Sequence, residues 1–387
     1  MSKSKKKILH IYIDSPTSNT HLKQFFPINL KKLKFNLKYF NTAYLNFDKK
    51  KIKDFYKNSS EKDRPKKLIE VKSKQEFENY LKSIKPQDYL LISQRGESRK
   101  NNNNYDLKMF KNYNIKTISV EELSPWVKCN FKKNFLINLI RFFHKNIKNL
   151  FKNLFIPNGY EPAYVLGCGD AEKRNFKKKE YTTSRYINCP SLSIDFALTG
   201  KKKKNIITYV DENLFFSRDN FLDKGNNKKI QNLDMYLKNL NFLFNKVEKK
   251  FNAQVIIACS NKFTYKKNLF KKRIIYGKTH QLISQSKLVL GHKSSVLFQA
   301  LYNKVPIIFI KSKNFSILKN FQIQMFANSY FNQTPYYLDD LLLDRNNIML
   351  KIDKKYCNNI LREYFKSDDL LNKNFKDNFV KTFNSLI

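Results

Sequence analysis

The sequence predicts an α/β protein built from two doubly wound domains. Three observations carry that expectation. Short apolar, β-prone runs alternate with helical periodicity in both halves of the chain, which is the rhythm of parallel strands joined by crossover helices. The segment Thr199-Gly-Lys-Lys-Lys-Lys204 is a charged, glycine-containing link that places a boundary near Lys201. With 387 residues, 41% of them hydrophobic, the chain can supply two ordinary cores.

In the first half, residues 8–13 read as a buried strand, followed by the polar loop Asp14-Ser-Pro-Thr-Ser-Asn-Thr-His21. In an open α/β domain such a loop lies at the carboxyl edge of the sheet, where ligands bind. Basic sequence follows over 31–74, and Tyr39, Phe40, Tyr44, Leu45 and Phe47 suggest a strand within it. Residues 89–93 form another strand, 101–104 a polar asparagine tract read as a loop, 105–113 a helix and 115–120 a further strand. Residues 132–155 are strongly amphipathic, with Leu136, Leu139, Ile140, Phe143 and Ile147 on one side and Lys145, Lys148 and Lys152 on the other. Two readings stand: a helix lying on an anionic membrane surface, or one covering a face of the first sheet. The second weighs more, because every core-facing helix needs such a stripe. A strand at 163–166 leads into Gly167-Cys-Gly169-Asp170, and 186–189 is the last strand of this half. Asp170 and Glu172 are candidate acids there, with a solvated turn carboxylate as the plainer account of each.

The second half is more regular. Strands are expected at 206–210, 255–259 and 273–276, a helix at 233–252 with Tyr236, Leu240, Leu243, Phe244 and Val247 inward, and a helix at 279–286. Residues 287–310 then read as one β-α-β unit: a strand, Gly291-His-Lys-Ser-Ser, a helix presenting Val296, Leu297, Ala300 and Leu301 on one face, and a second strand from Pro306. Gly291 permits a tight turn, Ser294 or Ser295 can cap the helix, and amides with hydroxyls at a helix start suit a phosphate. Thr334-Pro335 is expected to open a helix through 343, and 353–387 reads as one or two helices. The expected division is 1–200, 201–332 and a helical 333–387.

Lys and Arg number 75 against 32 Asp and Glu, a formal net charge of +43, which predicts attraction to polyanions. The excess is mostly Lys and accompanies abundant Asn, Phe, Ile and Tyr with few Gly, the bias of AT-rich codons, so part of it is a solvated surface. Five dispersed cysteines without a C-x-x-C pair indicate neither a disulfide framework nor a zinc knuckle and fit a reducing compartment. The N-terminus is too polar for a secretory segment, and no window approaches the roughly 18 apolar residues of a membrane span. A cytoplasmic location, or one peripheral to the inner face of the cytoplasmic membrane, follows as the expectation.

The pattern of 287–310, apolar strand, Gly291-His-x-Ser-Ser, helix, Lys304-Val-Pro306, apolar strand, resembles the donor-side segment of GT-B glycosyltransferases of bacterial surface and capsular polysaccharide synthesis. Sialyltransferase-like enzymes of that type carry such a Ser-Ser pair. The resemblance spans 206–310 and implies two Rossmann-like domains facing a cleft, with Gly291, His292, Lys293, Ser294 and Ser295 holding the donor phosphate. Gly167-Cys-Gly169-Asp170 resembles the turn that closes the acceptor-side domain, and YVDENLFFSRDNF, which contains Asp211, resembles the strand-end segment of polysaccharide-cluster proteins. Asp211 is a candidate base or sugar-hydroxyl ligand. After the strand VIIAC, Ser260-Asn261 replaces the His-Pro pair usual in these families; Ser260, Asn261 and Lys262 can still donate to a nucleotide. Thr279 is a natural cap and His280 lies near the same helix start, so both join the candidate nucleotide ligands. No Asp-x-Asp stands in a loop and no histidines have metal-pair spacing, so neither a metal nor a cofactor is expected, the nucleotide-sugar being a substrate.

These readings converge on transfer of a sugar from a CMP- or UDP-linked donor to a surface polysaccharide or lipid-linked glycan. The alternatives are a non-catalytic GT-B relative, a polyol-phosphate transferase and a basic nucleic-acid-binding protein. The last is disfavoured because no nucleic-acid motif occurs and the basic residues are scattered rather than striped.

Overall fold

Strand pairing among the described residues defines two sheets. The computed structural model describes residues 7–17, 34–57, 68–93, 105–121, 160–178, 181–189, 203–212, 232–260, 264–265, 267–342, 353–365 and 384–385. The amphipathic stretch 132–155, and Asn261 and Lys262, lie outside them.

The first domain contains β1 (Ile8–Ile13), β2 (Asn36–Asn41), α1 (Ala43–Asn46), α2 (Lys49–Lys57), β3 (Leu68–Glu70), α3 (Lys74–Lys82), β4 (Tyr89–Ser93), α4 (Tyr105–Asn112), β5 (Thr117–Glu121), β6 (Tyr164–Gly167), α5 (Gly169–Lys178) and β7 (Arg185–Asn188). Its strands are all parallel, in the order β3-β2-β1-β4-β5-β6-β7. The second contains β8 (Ile206–Val210), α6 (Leu233–Phe251), β9 (Gln254–Cys259), β10 (Arg273–Tyr276), α7 (Thr279–Gln285), β11 (Leu288–Gly291), a 3-10 turn (Ser295–Leu297), α8 (Phe298–Tyr302), β12 (Ile307–Lys311), α9 (Ile317–Phe331), β13 (Tyr336–Tyr337), α10 (Leu338–Leu342) and α11 (Lys354–Tyr364). Its sheet is also parallel, in the order β10-β9-β8-β11-β12-β13. Both sheets reverse direction beside their first strand, the doubly wound order 3-2-1-4-5-6, so the two Rossmann-like domains expected from the sequence are present.

Alternation along the second sheet explains why it needs helices on both faces. Tyr209, Leu288, Leu290, Ile308 and Ile310 pack with α6 and α10, whereas Val210, Val289, Ile307 and Phe309 pack with α8, α9 and α11. Local chemistry supports the helices. Asn232 caps α6 by accepting from the Met235 amide, and Asn252 ends it in the left-handed region at φ 44°. Asn114 and Asn332 adopt the same region. With only eight glycines in the chain, asparagine takes the backbone positions that glycine fills elsewhere.

Two elements differ from expectation. The strand expected through Phe47 stops at Asn41, whose side-chain oxygen accepts from the Ala43 amide at 2.6 Å while its amide donates to the Ser15 carbonyl at 2.8 Å. That side-chain turn starts α1 instead. Thr334-Pro335 does not open a helix: Tyr336–Tyr337 pairs with Ile310 and Lys311 as the edge strand β13, and the helix begins at Leu338. The second sheet therefore extends past residue 332 into the segment expected to be helical.

Helix α11 joins the domains. Asp353 caps it, and Cys357, Ile360, Leu361 and the following Phe365 insert into the second-domain core beside Phe298. Its last turn reaches the β6–α5 turn of the first domain, where Arg362 donates to Asp170 at 2.8 Å, Arg174 pairs with Glu363, and the Cys168 thiol donates to the Tyr364 carbonyl at 3.4 Å. Gly169 makes that approach possible. It sits at φ +72°, and a Cβ there would lie 2.5 Å from the Glu363 carbonyl oxygen. Gly169→Ala is expected to cost about 1–3 kcal/mol in urea unfolding and to speed amide exchange in α11. An unchanged unfolding midpoint with unchanged α11 exchange would refute this coupling.

Candidate functional site

The second sheet changes direction between β8 and β11, which are adjacent and in register from Leu288 opposite Ile207 to Leu290 opposite Tyr209. From β8 the chain crosses to β9 on one side, and from β11 to β12 on the other. The loops leaving these two strands therefore diverge and open a crevice at the carboxyl edge, the position where doubly wound sheets bind ligands. Asp211 and Glu212 follow β8; His292, Lys293, Ser294 and Ser295 follow β11.

His292 does not face that crevice. It is fully buried, its Nδ1 lies 2.7 Å from the Ile310 carbonyl oxygen, and its Nε2 lies 3.0 Å from the Tyr209 hydroxyl and 2.9 Å from that of Tyr236. A carbonyl only accepts, so Nδ1 carries the proton and Nε2 accepts from a tyrosine. The two hydroxyls are 3.2 Å apart, close enough for one tyrosine to donate to the other. Burial holds the imidazole neutral by lowering its pKa from 6.5 to about 4, against the opposing field of Glu212. His292, expected as a phosphate ligand, instead ties the loop to the core, because protein groups satisfy both ring nitrogens. A Cβ at Gly291 would come within 3.1 Å of both Leu297 methyls, so the missing side chain there admits Leu297.

Beyond that anchor the loop turns outward. Ser294 is half-buried at the cap position of the 3-10 turn without a side-chain cap bond, and Ser295 is exposed. The Lys293 amide donates to one oxygen of Glu212, and the Lys293 ammonium donates to Gln322 at 3.3 Å. The other Glu212 oxygen accepts from Lys319 at 2.9 Å, with the two side chains 10% and 13% exposed. Lys319 is positioned by α9, whose Ser316 cap accepts from the Lys319 amide. The β11 loop and the first turn of α9 thus converge on one carboxylate of the β8 loop.

Asp211 is 8% exposed and faces the β9 side, where its Oδ2 accepts from the Tyr265 hydroxyl at 2.7 Å and from the Cys259 thiol at 3.4 Å. Burial, reinforced by Asp211, pushes both the phenol and the thiol pKa upward, so each keeps its proton as a donor. Ser260 is exposed at the end of β9. Thr279 is the first residue of α7 rather than its cap, which is Lys278. His280, beside it, is lowered from 6.5 to about 4 by burial. These residues share the carboxyl edge with Asp211. Asp170 stands apart, in the first-domain turn bound by Arg362.

Glu212, Lys319 and Gln322 were not singled out from sequence. Glu212 adjoins Asp211 and could have been considered with it, whereas Lys319 carries no mark among 75 basic residues. Among the described residues, no three His, Cys, Asp or Glu side chains are grouped to hold a metal, and no helix is long and apolar enough to cross a membrane. An open cavity of about 810 Å³ lined by Glu248, Gln254, Lys271, Lys272 and Arg273 lies at the opposite, amino edge of the sheet. It is remote from the crevice and from the edge where such sheets bind ligands.

No family model matches the chain, and no curated protein sequence matches it. Among solved structures, a UDP-GlcNAc 2-epimerase from Methanocaldococcus jannaschii is 11% identical with a TM-score of 0.42, over 98% of each chain. A putative UDP-N-acetylglucosamine 2-epimerase from Listeria monocytogenes is 9% identical with a TM-score of 0.47, over 97% of this chain and 95% of its own. Arabidopsis thaliana UGT89C1 complexed with UDP is 12% identical with a TM-score of 0.45, over 99% and 98%.

The His292 pKa has a consequence for stability. The folded state resists protonation that the unfolded chain accepts, so stability is full above pH 6.5 and declines as pH falls towards 4. His292 is expected to contribute about 3 kcal/mol to that decline. His292→Gln should be less stable at neutral pH but show a shallower pH dependence in urea unfolding, retaining the shares of His10 and His280, whose pKa values burial also lowers. Equal pH slopes for the variant and the parent would contradict the assignment.

Proposed function

We propose that this chain is a GT-B-type glycosyltransferase that moves a sugar from a CMP- or UDP-linked donor to a surface polysaccharide or lipid-linked glycan. The observation that carries the reading is the switch-point crevice, where Ser294, Ser295, Lys293 and Lys319 adjoin the carboxylates following β8. Hydroxyls, a backbone amide and lysines are the groups that hold a sugar-nucleotide phosphate, and they gain strength where surrounding protein limits water.

In the proposed reaction an acceptor hydroxyl oxygen bonds to the anomeric carbon as the bond from that carbon to the phosphate oxygen breaks. The nucleotide leaves with the electron pair, and its growing charge meets the lysines and the Ser294 and Ser295 hydroxyls. The acceptor proton passes to a base. Asp211 is the candidate on the donor side, where Tyr265 fixes its carboxylate; Asp170 is the candidate on the first domain, once released from Arg362. Ser260, Thr279 and His280, on the neighbouring strand ends, suit contacts to the nucleoside.

Thermal-shift titration with CMP, UDP, GDP and their sugars tests this reading. One nucleotide is expected to stabilise the protein by about 2.7 kcal/mol at a hundredfold excess over its Kd, and Ser294→Ala/Ser295→Ala should abolish the shift. The absence of any nucleotide response at millimolar concentration would overturn it. Membrane contact through 132–155 is a separate part of the proposal. Vesicles containing anionic lipid should sediment the protein at low salt and release it at high salt, and failure to sediment at low salt would remove that part.

A further inference from the structure

Lys319 reaches the switch point from α9, which follows β12, two strands across the sheet from β8 and four strands further along the chain. Its ammonium and the Lys293 amide bind the two oxygens of one carboxylate, Glu212. A carboxylate and a phosphate ester make the same demand on such donors: adjacent anionic oxygens, a backbone N-H and a lysine. Glu212 is about nine-tenths buried, as is its partner, so this is a built contact rather than an exposed surface pair.

We propose that the Lys319 ammonium and the Lys293 amide bind the donor phosphate of the crevice together with Ser294 and Ser295, and that Glu212 holds this position when no phosphate is present. The phosphate displaces the Glu212 carboxylate and takes over both donors. The exchange is non-covalent and substitutes one anion for another, so Lys319 never loses a counter-charge in a confined site. Ser294 and Ser295, one and two residues beyond the Lys293 amide, then bracket the same phosphate. The carboxylate also discriminates: a weakly held anion cannot expel a tethered one, whereas a phosphate anchored by its nucleoside can. This inference rests on the proposed nucleotide-sugar reading and adds its phosphate ligand.

Calorimetric titration of the full chain with UDP, CMP and inorganic phosphate tests it, using the parent, Glu212→Gln, Glu212→Asp and Lys319→Ala, each checked for native circular dichroism. Removing the competing carboxylate in Glu212→Gln should tighten binding of the nucleotide that the parent prefers by about fivefold or more. Lys319→Ala should weaken it by about tenfold or more. Glu212→Asp, whose shorter carboxylate cannot span both donors, should tighten binding to a lesser degree and serves if the glutamine variant does not fold. Equal or weaker nucleotide binding by a folded Glu212 variant, or undiminished binding by Lys319→Ala, would overturn the assignment. So would a gain confined to inorganic phosphate, because the position would then not belong to the donor. A parent protein that binds neither nucleotide refutes the proposed function itself, whereas a parent that binds while the variants behave alike refutes only this inference.

Discussion

The second domain depends on the hydrogen bonding of one buried imidazole. His292 links β11 to the Ile310 carbonyl of β12, to Tyr209 of β8 and to Tyr236 of α6. Each of these groups is inside the domain, and leaving any of them unpaired there would cost roughly 1–3 kcal/mol. The network can be satisfied only if β8, β11, β12 and α6 occupy their observed positions together. Its geometric result is that the chain after His292 must leave the core at one place and in one direction, which presents the Lys293 amide and the two serines at the carboxyl edge. A core interaction thereby sets the position of a surface loop.

Around that anchor, acidic residues are informative because they are scarce. In a chain with 32 acids against 75 bases, a carboxylate is surrounded by potential partners, and most lysines need no particular one. Several well-placed acids nevertheless hold structural junctions. Glu212 binds Lys319 and the β11 loop, Asp170 and Glu363 bind arginines across the domain contact, and Glu248 binds Lys272 at the amino edge. The exposed pairs contribute little stability individually. Glu248 is likewise bonded by both oxygens, to the Val255 amide and Lys272, but Glu212 is the more deeply buried, so its replacement would leave an ammonium and an amide to be satisfied by something else.

The two domains are coupled by apolar packing on one side and by close backbone approach on the other. Phe365 and the inward face of α11 belong to the second core, while the turn at Gly169 receives the end of the same helix. Among the described residues, movement of the first domain relative to the second would therefore act on this helix end. Asp170 lies in that contact, which places a carboxylate of the first domain in direct communication with a helix of the second.

Periodicity in the sequence determined the fold class and most strand positions, because alternation and short apolar runs are local consequences of having to bury both faces of a parallel sheet. It also located Asp211 and the Gly291-to-Ser295 segment, since loops at strand ends keep their order along the chain. It misjudged 336–337, where an edge of the sheet claims residues whose local signals favour a helix, and the end of β2, where one asparagine side chain turns the backbone. Only the tertiary structure decided that His292 is enclosed while Ser294 and Ser295 emerge, because that depends on tyrosines 56 and 83 residues away. It likewise selected Lys319 from among many lysines, since its meeting with Glu212 across 107 residues is created by the order of strands in space and leaves no local trace.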